Sequence, residues 1–130
     1  MPKNLAEFQD LKYNKNNKFN ELREIKDYKL QLEKKTVMVK LKHDDRLPTE
    51  GKPNSIHDLE EDGVIKQRRI LDDEGKPKLD IETTDHNMPK HHPMGAHKHN
   101  WNNGVRDTHP IELDDLDRIK NEDILEDKDD

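Results

Sequence analysis

The sequence predicts a small α+β protein: N-terminal helices, a small three-stranded antiparallel sheet, a long irregular histidine- and proline-rich loop, and an acidic, partly disordered tail. Three changes of pattern along the chain carry that expectation. Apolar residues recur at three- and four-residue steps up to residue 32, and from residue 36 the period drops to two. From residue 84 prolines and histidines replace any period, and the chain ends in a run of carboxylates.

In the first 35 residues, Leu5, Phe8 and Leu11 form one short helical face. The run NKNNKFN (14–20) should interrupt it, because asparagine favours turns and caps over helix interiors. Phe19, Leu22, Ile25, Tyr28 and Leu32 then mark a second helix with a charged opposite face. The 36–101 segment should form the β domain. TVMVKLK (36–42) alternates and reads as a half-buried strand. Residues 43–63, with two prolines and two glycines, read as loop, so His43 and the His57-Asp58 pair are expected at the surface. VIKQRRIL (64–71) and KLDIETT (78–84) flank the turn residues DDEGKP and predict a β-hairpin, with Leu79, Ile81 and Thr83 on one face. Arg68 and Arg69 are expected on its surface.

Composition limits the size of the core. Hydrophobic residues are 28% and charged residues 42% of 130, so little apolar area is available to offset the entropy of ordering the chain. The formal charge of −6 is concentrated at the end. Residues 111–130 hold ten acidic and three basic side chains, leaving the rest of the chain near +1. Direct nucleic-acid binding through a broad basic face is therefore not expected. The 102–130 segment should be an acidic tail with a weak helix, either a solvated end or an electrostatic mimic of nucleic acid that inhibits a host nuclease. The absence of cysteine excludes disulfides, thiolate zinc sites and cysteine nucleophiles. No apolar run approaches the length of a membrane span, and the start lacks the apolar core of a signal peptide, so synthesis in the cytoplasm is expected.

The stretch TTDHNMPKHHPMGAHKHNW (83–101) holds five of eight histidines and the single tryptophan. It supports three readings. As a metal site, Asp85, His86, His97 and His99 would hold zinc or another divalent ion, since imidazole and carboxylate suit such ions and His97 and His99 can meet one ion from an extended strand. As a catalytic site, the order Asp85-His86, proline loop, His-x-His resembles the small ββα-metal nucleases. That resemblance implies His86 as general base and His99 or Asn103 on the ion. Pro89, Pro93 and the NNG run after Trp101 do not favour the helix which that family places there. As a partner-binding loop, the stretch is stiffened by proline and carries Met88, Pro89, Pro93, Met94 and Trp101 as apolar contacts for a protein partner. The non-enzymatic, protein-binding reading is the one preferred here.

Asp85, His86, Pro89, His92, Pro93, His97, His99 and Trp101 together form a D-H-x-x-P-x-x-H-P…H-x-H-x-W pattern, with Asn87 where a glycine is usual. Over about residues 70–101, a quarter of the chain, this resembles a module of proteins encoded by phages and prophages of Gram-positive bacteria. The resemblance implies a phage or prophage setting. The protein would sit in the host cytoplasm or the virion, and its partner would be a phage structural protein or a host factor.

Overall fold

The computed structural model describes residues 5–83 and 95–125, with side chains from residue 18 onward. The order is helix α1 (Leu5–Leu32), strands β1 (Thr36–Val39), β2 (Ile56–Glu61), β3 (Val64–Leu71), β4 (Pro77–Glu82), β5 (His97–Asn102), β6 (Val105–Arg106) and β7 (Ile111–Glu112), then helix α2 (Asp115–Lys120).

The sheet corrects the expected fold. Among the described residues seven strands form one mixed sheet, in the order β1 to β6, with β7 also pairing β5. The expectation was three antiparallel strands. The predicted hairpin is present as β3–β4, with Ile70 opposite Leu79 and Arg68 opposite Ile81. The strands missed are those whose buried positions are polar. β2 alternates Ile56, Asp58 and Glu60 with His57 and Leu59, which reads as loop because Asp58 is not apolar, yet Asp58 is buried. β2 and β3 are joined by Asp62 and Gly63, both at positive φ, the two-residue turn that matches strand twist. Asn103 and Gly104 repeat the device between β5 and β6. β1 adds parallel to β2 and is exposed along its whole length, not half-buried.

A single helix also replaces the two expected at the N-terminus. α1 runs through the asparagine-rich stretch without a break. Each asparagine costs only a few tenths of a kcal/mol against a good helix former, and lysine and glutamate neighbours favour the helix. Its C-terminal part meets the core. Tyr28 and Leu32 pack against the core, whereas Phe19 and Leu22 of the same stripe are exposed.

The two faces of the sheet differ in chemistry. One carries Ile56, Ile70 and Ile81, which with Ala96 and Leu113 make the core under Tyr28, Leu32, Ile124 and Leu125. Among them sits Arg68, 0% exposed, so its expected surface position is corrected. Its guanidinium grips both Asp58 oxygens (2.7 and 2.9 Å) and both Asp123 oxygens (2.9 and 2.7 Å), and donates to Asn121 Oδ1 at 3.1 Å. Tyr28 Oη donates to the same Asn121 oxygen, and Lys35 Nζ reaches Asp58 at 2.8 Å. α1, β2, β3 and the C-terminal segment therefore meet at one charge-balanced knot, buried at Arg68 and Asp58 and partly exposed at Lys35 and Asp123. The other face carries Leu59, Arg69, Asp80, Glu82, His97, His99 and Trp101.

The C-terminal segment is more than a charged tail. Asp114 caps α2, with reciprocal bonds between Asp114 and Asp117. Asp117 pairs with Lys98 at 2.7 Å, Glu122 with Lys29 at 3.1 Å, and Asp123 with Arg68. No helix among the described residues is long and apolar enough to cross a membrane.

Candidate metal centre

β4 and β5 pair with Glu82 opposite His97 and Asp80 opposite His99. Side chains at i and i+2 of a strand share a face. Asp80, Glu82, His97 and His99 are thus gathered on one patch, away from the apolar core. Exposure is 6% at Glu82, 0% at His97 and 2% at His99.

The backbone sets the tautomers. His97 Nδ1 lies 2.6 Å from the Gly95 carbonyl oxygen, and His99 Nδ1 lies 2.9 Å from that of Asp107. A carbonyl only accepts, so each Nδ1 carries the proton. In the neutral ring that leaves the lone pair on Nε2. Burial pushes the His99 pKa down, helped by the Arg106 charge and opposed by the Asp107 carbonyl. His99 is accordingly neutral at pH 7. The two rings stand edge to face, with centroids 4.9 Å apart.

Glu82 completes the group. Its Oε1 accepts from Arg106 Nη2, and its Oε2 lies 3.3 Å from His97 Nε2. One ligand atom from each of Glu82, His97 and His99 falls within 4.8 Å of the others. A tetrahedral ion with bonds of about 2.0–2.1 Å spaces its ligands about 3.4 Å apart. The Glu82–His97 pair already meets that spacing, and the rest of the set must draw in from within 4.8 Å. Donation of Nδ1–H to a carbonyl is the outer-shell support that metal-bound imidazoles require. Two imidazoles and a carboxylate suit zinc and other divalent first-row ions. The buried Glu82–His97–His99 group can therefore hold a metal.

A second ring of charge fixes this patch. Arg69 bonds both Asp80 oxygens (2.8 and 3.0 Å) and the Leu47 carbonyl (2.9 Å), so its expected surface position is also corrected. Arg106 joins Asp80 (3.0 Å) to Glu82. The Arg69 guanidinium lies 4.8 Å over the Trp101 ring. The Trp101 indole N–H is buried, with no acceptor among the described residues.

Of the four metal ligands expected from the sequence, His97 and His99 meet in the centre. Asp85 and His86 lie outside the described residues, as do Met88, Pro89, Pro93 and Met94 of the expected partner-binding set. Trp101, the remaining member of that set, is half-buried on β5 beneath Arg69. Glu82 was not anticipated. The alternation that turns Leu79 and Ile81 toward the core also turns Asp80 and Glu82 to the opposite face, and that was the available signal. His43 is exposed as expected, but His57 and Asp58 lie in β2, half-buried and buried. Comparison with protein-family models, curated proteins and solved structures finds no match to this chain.

Proposed function

We propose that the protein is a divalent-metal-binding protein in which His97 Nε2, His99 Nε2 and the Glu82 carboxylate hold the ion, zinc being the first candidate. The observation that supports this most directly is the pair of Nδ1–H bonds to backbone carbonyls, which leave Nε2 as the ligand atom of each ring beside one buried carboxylate. Burial of all three ligands favours a structural role, with the fourth position of a tetrahedral ion left to water or a further ligand. The ion would clamp β4 to β5 and so fix the two ends of the 84–94 connection. The partner and the phage setting that the resemblance implies are compatible with such a role and are not needed for it.

The test is elemental analysis and calorimetric titration with zinc and manganese on protein purified without a histidine tag. One ion per chain is expected, and His97→Ala or His99→Ala should weaken it by more than ten-fold. Saturation at a hundred times Kd should add about 2.7 kcal/mol of stability. Unchanged stoichiometry in the His97→Ala/His99→Ala double variant would sink the assignment. Nuclease activity with added magnesium that disappears in His86→Ala would favour a hydrolase instead.

A further inference from the structure

We infer that the ion of the Glu82–His97–His99 centre is taken up together with a small monovalent anion from solution, which fills its fourth position. This rests on the metal-binding reading above and names the ligand that completes it.

Charge decides the fourth ligand. Among the described residues, the patch around the centre holds two carboxylates, Asp80 and Glu82, and two guanidiniums, Arg69 and Arg106, joined by ion pairs. It is balanced before an ion arrives. Each imidazole would bind through a neutral Nε2 and offset none of the ion's charge. A divalent ion therefore brings its whole charge uncompensated into a site whose three ligands are at most 6% exposed. Uncompensated charge held away from water is costly. A water ligand leaves all of that excess, and one monovalent anion removes half. Glu112 stands opposite His97 on β7, but it is exposed and lies outside the group of converging ligand atoms.

The same face offers donors to such an anion. Trp101 and Arg106 stand directly opposite each other in the β5–β6 ladder, so their side chains are neighbours. Arg106 donates from Nε to Asp80 and from Nη2 to Glu82, which leaves Nη1 without an acceptor among the described residues. The Trp101 indole N–H is buried and also lacks an acceptor among them. Native structures seldom leave a buried donor without a protein, water or ligand acceptor. The Arg106 side chain is 28% exposed, against 0% for the Asp80 that it binds. The guanidinium is thus where the patch meets solvent, and its charge draws anions toward Glu82. Burial of the three ligands limits the anion to a few atoms, such as formate or chloride.

The experiment uses the full untagged chain, titrated calorimetrically with zinc in sodium perchlorate and in sodium formate of equal ionic strength. Formate should tighten zinc by about ten-fold or more, and zinc should tighten formate by the same factor, since the coupling is reciprocal. The visible spectrum of the cobalt-loaded chain should shift with formate and saturate at one formate per ion. Arg106→Gln carries one positive charge less. It should bind zinc more tightly than the wild type in perchlorate and lose most of the formate effect, whereas loosened structure alone would weaken zinc in both salts. Trp101→Phe, which keeps a ring under Arg69, should lessen the formate effect and leave zinc affinity in perchlorate unchanged. One zinc bound equally well in both salts, with an unmoved cobalt spectrum, overturns the proposal and leaves the metal centre standing. So does zinc affinity that ignores formate but falls in Glu112→Gln, which would give the compensating charge to the chain. No zinc bound in either salt sinks the metal centre and the anion with it.

Discussion

Arg68 joins Asp58, fully buried and also paired with Lys35, to Asp123, which stays partly exposed. Replacing it with methionine strands a buried carboxylate, and urea unfolding should show a loss of about 3–5 kcal/mol. Replacing Asp58 by leucine in the same chain should recover part of that loss, since the unpaired charge is what costs most. A pH dependence follows from two further groups, one on each face of the sheet. Burial lowers the His57 pKa, with Arg69 adding to the effect and Asp58 opposing it. The unfolded chain therefore takes up a proton near the ordinary value of about 6.5 while the folded chain does not, so stability falls as pH drops below that value. For Asp123 burial would raise the pKa, but the bonds and charge of Arg68 outweigh it and the net shift is downward. Its contribution is present above the ordinary carboxylate value and lost as pH falls through its lower folded value. Denaturation midpoints should thus decline between pH 7 and 5 and collapse below about 4. A midpoint that is the same at pH 7.5 and 5 would contradict the His57 half of this account.

At the level of elements, the β3–β4 turn depends on backbone geometry that only one residue type provides. Asp72 Oδ1 accepts from the N–H groups of Glu74 (2.8 Å) and Lys76 (3.0 Å), and Gly75 sits at φ +79. Gly51 N–H donates to the Gly75 carbonyl at 3.0 Å, and a Cβ on Gly75 would run into the Gly51 carbonyl oxygen. Gly75→Ala should cost at least about 1–2 kcal/mol, measured as a drop in the denaturant midpoint. Asp114→Ala removes the α2 cap and should cost about 1 kcal/mol. This turn was legible because DDEGKP is turn chemistry between two alternating segments. The Asp62-Gly63 turn carried the same kind of signal, but Asp58 and Glu60 broke the apolar alternation of β2 and hid the strand before it. His97 and His99 were legible as a pair from their spacing. Glu82 was hidden because its place in the site depends on the β4–β5 register, which no local pattern encodes.

Across the whole molecule, the C-terminal segment completes the fold. It supplies Leu113, Ile124 and Leu125 to the core and Asn121 and Asp123 to the buried knot. A chain ending at residue 110 should therefore lose its cooperative thermal transition, read by near-ultraviolet circular dichroism. An intact transition in that shortened chain would show the segment to be an appendage. The acidic composition of residues 111–130 suggested a solvated tail, since composition alone does not reveal that Asp117, Glu122 and Asp123 each have a basic partner elsewhere in the chain.

The Arg68 knot also orders events in time. Its members span residues 28 to 123, and Tyr28 and Asn121 are 93 positions apart. Contacts between such distant positions close late, because the intervening chain must be confined first. On the ribosome, Arg68 and Asp58 emerge and can pair while Asn121 and Asp123 are still unmade or inside the exit tunnel. The nascent chain must then carry a core that lacks Leu113, Ile124 and Leu125 until that segment has left the tunnel.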